Sequence, residues 1–241
     1  MPGSFLTSFL LNDHLLVDAG AGASALTAEQ QAGLSGIVLS HVHLDHVGEI
    51  PFIADNIFGA RDSALPIISL KSILDDLHKY LFNNVIWPDF TVLAVDGHPI
   101  LKFVSVDEGE EHYVDGIRLT PHCVDHVVSA VGYAFTDETG SLLYTGDTGP
   151  TENIWKSARK LTDLRAIITE VSFPNQLQGV ADAAKHFTPS SLGREIEKMP
   201  PDVPIYLFHG KSRYQDELLD ELDALKEPRL RMCEQGETYE F

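Results

Sequence analysis

Apolar residues in this chain come in short runs, most too brief for a helix and bounded by turn-forming residues. The runs within Ser8–Leu11 and His14–Val17 flank Asn12-Asp13 and predict two strands about a turn. Asp18-Ala19-Gly20-Ala21-Gly22 then breaks the pattern. Thr27, with Gln30 three residues on, has capping-box spacing and predicts a short helix over Thr27–Ala32. Gly36–Ser40 is the kind of short apolar run that is buried on both faces as a strand, and it leads directly into His41.

A helix is expected near Asp45–Asn56. Helical spacing at Ile73, Leu74, Leu77 and Leu81 predicts another over Lys71–Phe82, ended by Trp87-Pro88-Asp89-Phe90. Strands are predicted at Pro66–Leu70, Ile100–Val106, Tyr113–Pro121, Val131–Thr136, Ser141–Thr145, Ala166–Thr169 and Ile205–Phe208. Helices are predicted at Asn153–Leu161, Ser190–Lys198 and Tyr214–Leu225. Hairpins mixed with helices, without strict βαβ alternation, suggest an α/β architecture of sheets packed face to face with helices outside. No proline-rich linker divides the chain, so one domain over residues 1–241 is expected.

Composition narrows the function. Hydrophobic residues are 44% and charged residues 22% of the chain, which excludes disordered and collagen-like classes. No apolar run approaches the roughly 20 residues of a membrane-spanning helix. The net charge is 17 − 36 = −19. Such a chain repels long RNA or DNA, while a small nucleotide is not excluded. Two cysteines, Cys123 and Cys233, need no disulfide framework. The first twenty residues lack a basic segment, and Asn12, Asp13 and His14 interrupt their apolar stretch, so a cytoplasmic protein is expected.

Eleven histidines exceed what a core of this size needs, and their spacing is informative. His41-Val42-His43-Leu44-Asp45-His46 puts four metal-capable side chains within six residues, with Gly48 two positions later. In an extended stretch His41 and His43 project from the same face. Asp45 and His46 fall where a helix should begin. Such a set can divide its ligands between two neighbouring cations, and imidazole with carboxylate suits zinc, iron or manganese.

This HxHxDH motif resembles that of the metallo-β-lactamase superfamily. The resemblance implies a four-layered αββα sandwich with two divalent metal ions at one edge of the paired sheets, zinc by default and iron or manganese compatible. It also implies three later ligands. His122 and His126 compete for the first. The stretch His126 to Tyr133 resembles the superfamily's phosphodiesterase branch, in which a histidine precedes a Gly-Tyr strand, and favours His126. Asp147, in Tyr144-Thr145-Gly146-Asp147-Thr148, resembles the bridging aspartate, and His209, after Tyr206-Leu207-Phe208, resembles the last ligand. By resemblance, His41, His43 and His126 hold one ion, Asp45, His46 and His209 the other, and Asp147 lies between.

Further blocks resemble class II 3′,5′-cyclic-nucleotide phosphodiesterases: His78 to Phe90, Thr169 to Asn175 and Lys185 to Pro189. The likeness runs from about Thr7 to Gly210. It implies hydrolysis of cyclic AMP or cyclic GMP to the 5′-monophosphate by a metal-bridging hydroxide. His186 is the candidate for stabilising the phosphorane or protonating the leaving alkoxide, and Asp45 for orienting the attacking water. Phe82 and Trp87 offer aromatic faces for the purine, or else serve as core or a dimer contact. Glu170 is either a support for a ligand histidine or a strand-edge carboxylate. One departure is His209-Gly210-Lys211-Ser212-Arg213, where the family commonly has an aliphatic residue, lysine and proline after the histidine.

An RNase Z-like tRNA 3′-end endonuclease has a similar site, but the segment from His46 to His126 contains no basic tract for gripping RNA. A glyoxalase II-type thiolesterase needs a helical substrate domain, and only 32 residues follow His209. A metal-stabilised scaffold without activity is the non-enzymatic alternative. The expected partner is a small cyclic nucleotide, with no long nucleic acid or membrane, and a homodimer is common among such enzymes.

Overall fold

The computed structural model describes residues 6–241, which form two compact units meeting in sequence at Asp115 and Gly116. The first contains β1 (Phe9–Leu11), β2 (Leu15–Val17), α1 (Gly22–Ala25), α2 (Ala28–Gly33), β3 (Gly36–Val38), α3 (Leu44–Val47) and α4 (Ile50–Asn56). It continues with β4 (Leu65–Leu70), α5 (Lys71–Tyr80), the small hairpin β5 (Ala94–Val95) and β6 (His98–Pro99), β7 (Leu101–Val106) and β8 (His112–Val114). Its sheet has the order β1-β2-β3-β4-β7. The β1–β2 hairpin is antiparallel, and β2, β3, β4 and β7 are parallel. Both β2 and β3 are buried along their length, as unbroken apolar strands in a parallel sheet should be.

Local chemistry decides the helix boundaries. In α2 the Thr27 side chain accepts from the Gln30 N–H while Gln30 reaches back to the Thr27 N–H, the reciprocal cap expected from the sequence. Helix α5 buries Ile73, Leu74 and Leu77 and keeps a Lys71–Asp75 pair on its wet face. The helix predicted over Asp45–Asn56 is instead two, α3 and α4. Pro51 in the first turn of α4 has no N–H to donate back into α3 and favours a new start.

The second unit holds β9 (Ile117–Cys123), β10 (Val131–Thr136), β11 (Ser141–Tyr144), α6 (Asn153–Ala158), β12 (Leu164–Glu170), α7 (Gln178–Ala184), α8 (Pro189–Ile196), β13 (Ile205–Phe208), α9 (Gln215–Ala224) and β14 (Leu230–Met232). The strand predicted over Tyr113–Pro121 is two strands. Asp115 and Gly116 both have positive φ, at 46° and 84°, and make the tight turn that an Asp-Gly pair favours. The seven-stranded sheet has the order β14-β13-β12-β11-β10-β9-β8. Strands β9, β10 and β11 are antiparallel, and β11 to β14 are parallel. Trp155, Phe187, Leu192 and Leu207 are wholly buried in its core, where Trp155 Nε1 donates to the buried Glu195 carboxylate at 2.7 Å. No helix among the described residues is long and apolar enough to cross a membrane.

Candidate metal centre

In the first unit, parallel pairing aligns Val17 with Val38, so Asp18 and Ser40 leave the sheet at the same end. Asp18 turns there with φ of 55°, and its N–H donates to the Val38 carbonyl at 2.8 Å. Its carboxylate gathers three donors. The Ser40 N–H reaches Oδ1 at 2.8 Å, the Ser40 hydroxyl reaches Oδ2 at 2.7 Å, and His46 Nδ1 reaches Oδ2 at 2.7 Å. Because the Ser40 proton goes to Asp18, Ser40 Oγ accepts from His41 Nδ1 at 3.0 Å. Both imidazoles therefore carry a proton on Nδ1, and the lone pair sits on Nε2, the tautomer a metal needs. Asp18, Ser40, His41 and His46 are all fully buried.

The turn carrying these ligands is fastened by its own backbone. The Asp45 carbonyl accepts from the Thr7 N–H at 3.0 Å, and the His46 carbonyl from the Ala19 N–H at 2.6 Å. Gly20 is pressed so close to this turn that a Cβ on it would lie 2.0 Å from the Asp45 carbonyl oxygen. His41 and His43 rings lie 4.6 Å apart and His41 and His46 rings 4.2 Å apart. Ligand atoms of His41 and His43 come within 4.8 Å of each other, and so do those of Asp45 and His46.

The second unit builds an equivalent device at the ends of β11, β12 and β13. Beyond β11, Gly146 takes a positive φ of 61° and brings in Asp147, which is 1% exposed. Glu170 ends β12 wholly buried. Its Oε1 meets His186 Nδ1 at 2.6 Å and the Thr148 N–H at 3.1 Å, and its Oε2 accepts the Ser172 hydroxyl at 2.8 Å. With the Ser172 proton so committed, Ser172 Oγ accepts from His209 Nδ1 at 2.7 Å. His209 leaves β13 with φ of 69°, and its Nε2 lies 3.4 Å from Asp147 Oδ2. A nitrogen lone pair facing a carboxylate oxygen at that distance suits a cation shared between them. His126 offers the same tautomer, because its Nδ1 donates to the Lys185 carbonyl at 3.2 Å. The chemistry of both donor sets thus fits a divalent metal.

His186 stacks on His209 with ring centroids 5.2 Å apart and lies edge-on to His126 at 5.2 Å. Burial pulls its pKa down. The Glu170 hydrogen bond and the charges of Glu170 and Asp147 more than offset this, leaving it raised.

Of the sequence-predicted residues, His41, His43, Asp45 and His46 cluster in the first unit, and His126, Asp147, His186 and His209 in the second. His122 lies within β9, paired with Gly132, and His126 falls beyond the strand end. Phe82 is a correction. It is 0% exposed and packs edge-on against Phe103, so it presents no face to a purine. Trp87 is half-buried against Phe52, ring to ring at 5.3 Å. Asp18, Ser40 and Ser172 escaped sequence reasoning. The signal for Asp18 was an acid directly after the apolar strand Leu15–Val17.

Residues 14–209 match the model of the beta-lactamase superfamily domain. The chain is 26% identical to the probable 3′,5′-cyclic-nucleotide phosphodiesterase of Yersinia pestis, over 100% of this chain and 78% of that protein. It is 24% identical to the ribonuclease Z of Pyrobaculum islandicum, over 95% of this chain and 87% of that one. Among solved structures, the metallo-β-lactamase fold protein YhfI of Bacillus subtilis superposes with a TM-score of 0.74 at 18% identity, covering 97% of this chain and 90% of that one.

Proposed function

The chain belongs to the β-lactamase superfamily and has the metallo-β-lactamase α/β-sandwich fold, and we propose that within it the protein is a metal-dependent phosphodiesterase acting on 3′,5′-cyclic nucleotides. The observation that carries this is the buried His186–Glu170 pair stacked on His209. A phosphodiester leaves behind an alkoxide that must be protonated, and a buried imidazole kept charged by a carboxylate is the group for that step. The likeness to the Yersinia pestis phosphodiesterase along the whole chain supports the same substrate class.

In this proposal His41, His43 and His126 would hold one divalent cation and Asp45, His46 and His209 a second, with Asp147 available to both. Bound divalent cations supply Lewis-acid stabilisation of phosphoryl oxygens and a water of lowered pKa. Asp45 orients the attacking water. Glu170 keeps His186 protonated and directed, and His186 Nε2–H delivers its proton to the departing 3′ oxygen, leaving the 5′-monophosphate. Asp18, Ser40 and Ser172 lock the Nδ1–H tautomers. Ribonuclease Z relatives favour a tRNA reading, but a net charge of −19 repels such a polyanion.

The test is chromatographic product analysis of zinc- or manganese-loaded protein with cyclic AMP, cyclic GMP and pre-tRNA side by side, with and without chelator. Chelator-sensitive release of the 5′-monophosphate is expected. Cleavage of pre-tRNA with both cyclic nucleotides left intact would overturn the assignment.

A further inference from the structure

In a chain this acidic, an anionic ester needs a local cation to offset the carboxylates around it. Several basic side chains of the second unit are already neutralised. Lys185 pairs with Asp125 at 2.5 Å, Lys198 with Glu152 and Glu195 at 2.7 Å, and Arg229 with Glu227 at 2.9 Å. Lys211 has no carboxylate partner among the described residues. It follows His209 by two positions, and its backbone is pinned by Lys211 N–H to the Ser172 carbonyl at 3.2 Å and Tyr214 N–H to the Lys211 carbonyl at 2.8 Å. Its Nζ hangs over the Phe173 ring, 5.9 Å from the centroid. That ring stands edge-on to His186 at 5.8 Å, and the Lys211 charge is felt at His186. Ammonium, aromatic ring and imidazole thus share one wall, and the ring's π face holds the cation without cancelling its charge.

We propose that Lys211 is a substrate-binding residue, its ammonium taking a non-bridging phosphate oxygen beside His186 and His209. The proposal rests on the phosphodiesterase reading and deepens it by naming the group that recognises the phosphoryl anion. A lysine suits the task as a compact point charge on a flexible stem, able to follow the phosphate as it turns over.

The test uses the metal-loaded full chain, with inorganic phosphate as the binding probe and bis(p-nitrophenyl) phosphate as the ester. Lys211→Met is expected to weaken phosphate binding about tenfold by calorimetry and to raise KM by a similar factor, the loss falling on KM more than kcat. Metal content stays at the parent value. Lys211→Arg restores most of the loss, and the gap between parent and Lys211→Met narrows as salt rises. Phosphate binding of parent strength in Lys211→Met overturns the proposal, whether or not the ester is cut. Lys211-dependent phosphate binding by a parent protein that cuts no diester sustains the anion site and overturns the phosphodiesterase reading instead.

Discussion

Asp18→Asn isolates what one buried carboxylate does for the metal centre. Asp18 offers two oxygens to three donors, and both Oδ2 contacts are at 2.7 Å. Asparagine keeps the shape but has one oxygen and one NH2. With its oxygen left on the Ser40 N–H, the NH2 faces the Ser40 hydroxyl and His46 Nδ1–H. Flipped, the NH2 faces the Ser40 N–H. Either way a donor meets a donor in a dry site. The least costly escape is for His46 to move its proton to Nε2, which removes the lone pair a cation requires. A hydrogen bond to a charged group contributes about 1.5–3 kcal/mol. Loss of such a supporting partner typically costs about 10–100-fold in metal affinity, or roughly 1.4–2.7 kcal/mol, so the two scales agree. Competition with a chromophoric chelator should show metal bound about 10–100-fold more weakly, while circular dichroism stays at the parent signal. Parent metal affinity in a folded Asp18→Asn protein would refute the tautomer reasoning.

Four further outcomes are expected. His186→Ala should keep the metal content of the parent, by elemental analysis, and lose about 10²–10⁴ in kcat. In its proposed role His186 acts as an acid, and its pKa is raised, so the parent kcat should stay high below that pKa and fall as pH rises through it; a kcat flat into alkaline pH would remove His186 from the step. Glu170→Gln removes the Glu170 charge that helps raise that pKa, so the alkaline fall should move to lower pH. Gly20→Ala should lower both Tm and metal affinity, since its Cβ would sit 2.0 Å from the Asp45 carbonyl oxygen and must push the ligand turn aside; an unchanged chelator titration would show the turn to be yielding.

The two units use one arrangement twice. In each, a fully buried carboxylate at a strand end accepts a serine hydroxyl and an imidazole, and the serine in turn accepts a second imidazole. The carboxylate is Asp18 in one and Glu170 in the other. Parallel strands make this economical, because their carboxyl ends all emerge on one side of a sheet. Residues distant in sequence, such as Glu170 and His209, then become neighbours by register: Glu170 pairs with Phe208, and His209 follows.

Most of the local structure was readable along the chain. The Thr27–Gln30 cap, the strands Val131–Thr136 and Ile205–Phe208, and the dense His41–His46 motif rest on spacing, which is set by neighbours a few residues apart. The break at Pro51 and the Asp115-Gly116 turn were also local, and were misjudged only because apolar runs on either side read as continuous. The roles of Asp18, Ser40 and Ser172 belonged to tertiary structure alone. A serine before a histidine or an acid after a strand is commonplace, and each acquires its role only when strand register brings a particular proton to it. Phe82 makes the same point from the other side. Its aromatic chemistry was plain in the sequence, but packing against Phe103 took it out of solvent, and a side chain's chemistry can act only on what it is able to touch.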